Sequence, residues 1–220
     1  MQIQKKLLIF LLIIVAVSNK IYAQDHPADS LLTDLLGETS AASSELLPEK
    51  MLFTQRIFWG EKGLYRKVGL APKVLTPENR ERELKIRRNM FRFHQGLGLA
   101  TAAAMVAQGI VGAKLYKSYD GDLKDFHEGL AKGINIGYFS TALLSFTAPP
   151  PMVNRAKFDN IKLHKILSVV HLSGMITTNV LARQIEHSSD PANLKKIHRG
   201  VAMTTFGAYA LAIASIKFEF

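Results

Sequence analysis

Four histidines stand at the start of four long apolar stretches, one histidine to each stretch. They occur in the phrases RFHQGLGL (His94), DFHEGLAK (His127), KLHKILSV (His164) and KIHRGVAM (His198). A neutral imidazole nitrogen is a good ligand for a transition metal, and the second ring nitrogen then needs a hydrogen-bond partner that fixes the ring. Because a histidine at or inside a lipid bilayer is costly, its repeated position indicates a binding site.

The composition narrows the kind of site. The chain of 220 residues has no cysteine and seven histidines. The absence of cysteine excludes disulfides, thiolate metal sites, iron–sulfur clusters and haem attached through CxxCH, so histidine is the obvious ligand for a redox group. The net charge of +10 favours basic flanks of membrane helices. The basic patch with interleaved aromatic residues that is typical of a nucleic-acid surface is absent from the sequence, so we expect no nucleic-acid partner.

The N-terminal residues predict export. Residues 1–23 read as a signal peptide, with Lys5 and Lys6 before an apolar centre and Ala23 at the cleavage point. An uncleaved anchor helix is the alternative. In either case the following extension, residues 24–89, lies on the non-cytoplasmic side.

The extension is expected to form short amphipathic helices, and its aromatic residues lie among basic ones around Trp59. This pattern fits a collar that lies on the membrane surface or caps the bundle, and it also fits ordinary packing; both remain open. Thr76 and Pro77 then predict the start of a helix, because threonine caps and proline is tolerated in the first turn. We expect this helix to run into the first apolar stretch and to carry the ion pairs Glu81–Lys85 and Glu83–Arg87.

Residues 90–220 are predicted to be an all-α, four-helix transmembrane up-down bundle. The apolar stretches are residues 94–111, 130–148, 166–185 and 200–216. Each has roughly 17–21 mostly apolar residues, near the lower end of what crosses a hydrocarbon core of about 30 Å. A soluble helical bundle is the alternative. Basic residues are slightly more numerous on the side where spans one and three begin, and the positive-inside rule would place that side in the cytoplasm. The signal peptide places the same side outside the cytoplasm, and we adopt the orientation that the signal peptide gives.

The up-down order arranges the histidines in two pairs. Spans one and three start on one side, so His94 and His164 lie at one depth, and His127 and His198 lie at the other. Each pair comes from diagonal helices, as two imidazoles on either side of a flat haem require. These four are the predicted metal ligands. His171, seven residues after His164 on the same face, is an alternative ligand or a partner of a haem propionate.

Small residues in the spans leave room for a porphyrin face or allow close helix packing. They are Gly96, Gly98, Ala102, Gly129, Gly133, Gly137, Gly174, Gly200 and Gly207. Together with the matched histidines they favour the first interpretation.

The chain resembles the cytochrome b561 family over residues 90–218. The phrases that carry the resemblance are FHQGLGLATA, FHEGLAKG, KLHKILSVV and IHRGVAMTTFGAYALAIA, each with its histidine. The resemblance implies a four-helix core with two haem b groups, ligated first helix to third and second to fourth. It also implies that Lys132 and Arg199 pair with propionates or attract an anionic donor, although snorkelling to the interface explains them equally well. The extension replaces the flanking helices that family members usually have.

These features predict transmembrane electron transfer through two bis-histidine b-type haems, an oxidoreductase-type electron carrier. The donor is expected to be a quinol, ascorbate or a redox protein, and the location a bacterial-type inner membrane. A membrane scaffold or subunit without haem is the first alternative. A small transporter or proton relay is the second. A homo-oligomer is left open.

Overall fold

The structure, a computed structural model, describes residues 46–48, 50–152 and 158–217. These residues are all-helical and contain no strand. The elements are α1 (Phe53–Trp59), α2 (Leu64–Lys67), α3 (Pro77–Lys117), α4 (Gly121–Thr147), α5 (Asn160–Gln184), a 3₁₀ turn (Ile185–His187) and α6 (Pro191–Lys217). The predicted signal peptide and His26 lie outside the described residues.

Helix α3 begins where the sequence predicts. Thr76 Oγ1 accepts a hydrogen bond from the backbone nitrogen of Asn79 over 3.2 Å, and Pro77 occupies the first helical position. The helix continues without a break for 41 residues. The prediction that the charged stretch runs into the first apolar stretch is therefore confirmed.

One of the two predicted ion pairs on α3 is present. Lys85 Nζ lies 2.7 Å from Glu81 Oε1 on the exposed surface. The prediction for Glu83 is wrong, because its carboxylate pairs with Arg66 at 2.7 Å and with Arg80 at 2.8 Å. The competing partner, Arg66, belongs to α2 and is close only in the folded chain.

The ends of the later helices follow local signals. Helix α4 ends at Thr147, shortly before the prolines at 149–151, which have no backbone N–H to continue a helix. Asp159 caps α5 by accepting from the backbone nitrogen of Lys162 over 2.9 Å. Asp190 similarly accepts from the backbone nitrogen of Asn193 over 3.1 Å, at the start of α6.

Three helices of the described chain are long and apolar enough to cross a membrane: α3, α6, and α5 together with the turn after it. Helix α4, predicted as the second span, does not meet this level of apolarity. Its apolar part contains Lys132 and Asn135 and several hydroxyl side chains. Large apolar residues on α5 are exposed, as lipid contact would require. They are Ile166, Val169, Val170, Ile176 and Val180.

The chain forms two compact units, and α3 and α4 contribute to both. Within the described residues, the first unit comprises 46–48, 50–98 and 138–152, and the second comprises 99–137 and 158–217. In the first unit, three side chains donate to backbone carbonyl oxygens at or after the end of α4. The bonds are Trp59 Nε1 to Thr147 (2.7 Å), Arg80 Nη2 to Pro150 (2.6 Å) and Arg87 Nη1 to Pro149 (2.6 Å). Trp59 is buried, which fits both a segment that caps the helices and ordinary packing of this aromatic residue.

Candidate functional site

His127 lies in the second unit, where α4 returns antiparallel along α3. The side-chain nitrogen of Gln108 is 3.1 Å from the ring Nε2 and also 3.1 Å from the backbone carbonyl oxygen of His127. A carbonyl oxygen only accepts, so this nitrogen is the amide NH₂ group, and the ring Nε2 accepts its second hydrogen. The ring proton of neutral His127 is therefore on Nδ1, which is buried and has no hydrogen-bond partner among the described residues.

Gly112 makes room for the His127 ring. A Cβ atom at this glycine would lie 2.9 Å from Cε1 of the imidazole, closer than real contacts allow. The ring therefore occupies the space that any other residue's side chain would fill. Neither Gly112 nor Gln108 was identified from the sequence as part of a site. The only sequence signal is their spacing on α3, four residues apart, which places both on one face.

His198 lies in the same unit, on α6, which packs antiparallel against α5. Its Nδ1 is 3.1 Å from the backbone carbonyl oxygen of Thr178. The rings of His127 and His198 are near enough for their charges to interact. The second unit thus places these two histidines, which the sequence pairs, in one region.

His164 lies in the second unit at a different level of the α5–α6 pair. Its Nδ1 is 2.8 Å from the backbone carbonyl oxygen of Ala212. Along α5, Thr178 is fourteen residues further on, which corresponds to about 21 Å. The levels of His164 and His198 are therefore separated by most of a hydrocarbon core. His171 is buried between them, and its ring lies edge-on to that of Tyr209 with the centroids 4.9 Å apart.

His94 belongs to the first unit. Its Nδ1 is 2.9 Å from the backbone carbonyl oxygen of Thr141 on α4. The ring of Phe91 lies at an angle of 65° to the imidazole, with the centroids 5.7 Å apart. A cross-helix hydrogen bond and an aromatic neighbour thus contribute to holding His94 in place.

All four histidines of the sequence pattern have the same tautomer, inferred from their partners. In His94, His164 and His198 a carbonyl oxygen accepts from Nδ1, and in His127 an amide donates to Nε2. Each neutral ring therefore carries its proton on Nδ1 and its lone pair on Nε2. An imidazole that donates through one nitrogen and has a lone pair on the other has the form of an oriented metal ligand.

The other predicted site residues are at the surface. Lys132 is exposed, and the exposed Arg199 has its guanidinium 5.1 Å from the ring centroid of Tyr116. Nearby, Lys124 bonds Glu186 at 2.8 Å and Glu128 at 3.1 Å. These two carboxylates raise the pKa of Lys124 above its usual range. The exposed positions of Lys132 and Arg199 are compatible both with binding an anionic group, such as a propionate, and with snorkelling to the membrane interface.

The glycines divide into two groups. A Cβ at Gly174 would collide with the side chain of Thr205, so this glycine allows the close approach of α5 and α6. At five of the glycines that were predicted to leave room for a porphyrin, an added Cβ would meet no atom within 4 Å. They are Gly96, Gly129, Gly133, Gly200 and Gly207. Close packing therefore explains Gly174, whereas four of the other five, Gly96, Gly129, Gly133 and Gly200, are exposed positions that no side chain covers.

The described histidines and carboxylates do not form the donor set of a bare metal ion. Among the described residues, no group of three or more histidines and carboxylates forms a metal site. A haem iron needs two imidazoles at most, because the porphyrin supplies the other ligands. The four imidazoles and the open glycines are compatible with that requirement.

No protein-family model, curated protein or solved structure matches this chain. The resemblance to cytochrome b561 therefore rests on the placement of the histidines and the small residues beside them.

Proposed function

We propose that this chain is a membrane electron carrier that holds two b-type haems, as cytochrome b561 proteins do. His127 and His198 would ligate one haem, and His94 and His164 the other. The observation that supports this assignment best is the shared tautomer. His94, His164 and His198 each donate through Nδ1 to a carbonyl oxygen, which leaves Nε2 as the ring nitrogen that iron could bind, whereas Nε2 of His127 accepts from Gln108.

A membrane location is supported by the three helices of sufficient length and apolarity. Helix α4 is proposed as the remaining span, because Asn135, the amide side chain in its apolar part, has a partner on another helix. Asn135 and Asn179 exchange side-chain hydrogen bonds, Asn135 donating over 2.7 Å and Asn179 over 2.9 Å. Paired amides between helices are tolerated in a bilayer, where an unpaired amide is not. We place the extension on the non-cytoplasmic side of a bacterial-type inner membrane.

Bound haem would supply one-electron chemistry between the two oxidation states of its iron. The protein's own residues hold and tune the ligands. The carbonyl oxygens of Thr141, Thr178 and Ala212 orient the imidazoles and strengthen them as ligands by accepting from Nδ1. Levels about 21 Å apart along α5 fit a carrier with one haem near each face. A quinol, ascorbate or a redox protein would donate the electron.

A scaffold without haem is the second candidate. It is favoured by the observation that His94, His164 and His198 each bond a carbonyl oxygen of a neighbouring helix. Such bonds alone stabilise a helical membrane protein, with a typical value of about 0.6–2 kcal/mol each. In that case the histidines are structural and the protein is colourless.

The test is optical. The full chain, produced in cells that make haem and purified in detergent, is expected to show the reduced-minus-oxidised α-band of bis-histidine haem b with two haems per chain. His127→Ala and His198→Ala should remove the same haem, and His94→Ala and His164→Ala the other. His171→Ala should retain both. A folded, colourless protein would refute the electron carrier and support the scaffold.

A further inference from the structure

Helices α1 and α2 line a surface groove of about 360 Å³ in the first unit. Its walls combine three apolar side chains with three cationic ones: Phe53, Ile57 and Leu64, and Arg56, Lys62 and Lys67. Exposed apolar surface rimmed by polar side chains is typical of a site that binds a membrane or another protein. This groove, called the α1–α2 groove below, is therefore a candidate binding surface.

The apolar side chains of the α1–α2 groove are exposed. Phe53 has 79% of its surface accessible, and Ile57 and Leu64 are exposed as well. Leu70, which follows α2, is accessible over 70% of its surface. Burying such side chains against an apolar phase is favourable, since each contributes about 1.5–3 kcal/mol when it is fully covered.

The α1–α2 groove also has an excess of positive charge. From residue 50 to residue 75 the chain contains six basic residues and one acidic residue, Glu61. Arg56, Lys62 and Lys67 are exposed, and no carboxylate among the described residues pairs with any of them. An anionic group is therefore the charged partner that this groove fits.

The chain around the groove is fastened to α3 by a buried arginine. Arg66 donates to the backbone carbonyl oxygens of Trp59 and Gly60 over 3.1 Å each. It also donates to the carbonyl oxygen of Pro72 over 2.7 Å and pairs with Glu83 of α3. The groove is thus preformed, and a preformed surface loses less conformational entropy on binding.

The α1–α2 groove lies near the end of a proposed span. Trp59 Nε1 donates to the backbone carbonyl oxygen of Thr147 over 2.7 Å, and Thr147 is the last residue of α4. Helix α1 is therefore at the level where this span would leave the hydrocarbon core. Aromatic and basic side chains are favoured at that level, because lipid headgroups and the ends of the acyl chains meet there.

We propose that the α1–α2 groove binds anionic phospholipid of the bilayer that the helices span. The three cations contact the phosphate groups, and the three apolar side chains enter the boundary of the acyl chains. This inference rests on the membrane location within the proposed function and does not depend on haem. The alternative occupant is the acidic segment 24–49, which has six acidic residues and no lysine or arginine.

The experiment uses Trp59, the only tryptophan of the chain, which lies one turn after Arg56 on α1. The full chain is reconstituted in lipid discs that mix phosphatidylcholine with phosphatidylglycerol. Bromine on the acyl chains of one lipid or the other quenches tryptophan fluorescence at short range only. We expect phosphatidylglycerol to associate near Trp59 about fivefold more strongly than phosphatidylcholine, the preference that one lysine or arginine at an anionic surface provides.

Two variants with equal loss of charge separate the groove from the net charge of the chain. The groove variant replaces the three cations with glutamine (Arg56→Gln, Lys62→Gln and Lys67→Gln) and should lose the preference for phosphatidylglycerol. The control variant makes the same replacement at three exposed lysines of the second unit (Lys165→Gln, Lys195→Gln and Lys196→Gln) and should keep the wild-type preference.

Three results would overturn the lipid site. The first is equal association of the two lipids with the wild type, and the second is equal loss of preference in the two variants. The third is a preference that appears only after deletion of residues 25–44, because the acidic segment would then occupy the groove in the full chain. If neither lipid quenches Trp59, Phe53→Trp places an indole in the groove itself, and absence of quenching there also overturns the site.

The outcomes are distinguishable from those of the proposed function. A chain without haem that keeps the preference for phosphatidylglycerol overturns the electron carrier and supports the lipid site. A haem-loaded chain without the preference overturns the lipid site alone. A chain that does not enter the bilayer overturns both.

Discussion

Gln108 holds His127 at two points, because one amide nitrogen donates to both the ring Nε2 and the backbone carbonyl oxygen, each over 3.1 Å. The two bonds fix the identity of the amide nitrogen and the tautomer of the ring together. They also place a polar side chain at the nitrogen that is proposed to bind iron.

Changing Gln108 to glutamate is expected to cost the chain one of the two proposed haems. A carboxylate only accepts, so it selects the His127 tautomer with a proton on Nε2, and a protonated nitrogen does not ligate iron. Gln108→Leu leaves the lone pair on Nε2 accessible and should retain both haems. Haem content per chain, measured on the two purified variants side by side, checks this. Equal haem content in both would contradict it.

Replacing Gly112 with alanine should displace the His127 ring. The new Cβ would lie 2.9 Å from Cε1, so the ring or α4 must shift. We expect destabilisation of about 1–3 kcal/mol, as for other overpacked sites. The matched control is Gly109→Ala, where the added Cβ meets no atom within 4 Å. It should be neutral or stabilise α3 by about 0.5–1 kcal/mol. Unfolding in detergent measures both, and similar values for the two would refute the contact.

Neutralising Glu83 is expected to weaken the first unit strongly. Glu83→Gln leaves the buried Arg66 and Arg80 without their shared carboxylate, and breaking a buried ion pair in this way costs about 3–5 kcal/mol. Glu81→Gln, two residues earlier, removes an exposed pair with Lys85 and should cost about 0–1 kcal/mol. Protease accessibility of residues 53–76, followed with denaturant, compares the two. Equal sensitivity would mean that Glu83 does not hold the extension in place.

The amide pair between α4 and α5 should behave as a coupled unit. Asn135→Leu or Asn179→Leu alone leaves one amide without its partner, whereas the double variant removes both. A double-mutant cycle on unfolding in detergent is expected to give a coupling energy of about 0.6–1.7 kcal/mol, the range found between membrane helices. Additive effects would show that the two amides contribute independently.

Local signals made much of the helical layout predictable. Thr76 with Pro77, and the three prolines after α4, act within a few residues of the helix ends they set, and these predictions are confirmed. The position of one histidine at the start of each apolar stretch can likewise be read from the sequence. The all-helical class follows from such short-range information.

Side-chain partners that depend on helix register were not predictable. Arg66 displaces Arg87 as the partner of Glu83, since α2 folds against α3 and brings a second guanidinium to the carboxylate. Gln108 and Gly112 meet His127 only through the register of the α3–α4 hairpin, which no single stretch of sequence encodes. Helix α4 was predicted as a span from its length, but it is less apolar than the three helices long and apolar enough to cross a membrane, and the pairing of its Asn135 with Asn179 depends on the register of α4 against α5.

The bonds of Arg80 set an order of events during synthesis. Its guanidinium donates to the carbonyl oxygens of Pro150 and Pro151, which lie 70 and 71 residues later in the chain. The ribosome must therefore translate all of α4 before the Arg66–Glu83–Arg80 cluster obtains its last acceptors. The complete cluster therefore requires the complete first helical hairpin, formed by α3 and α4.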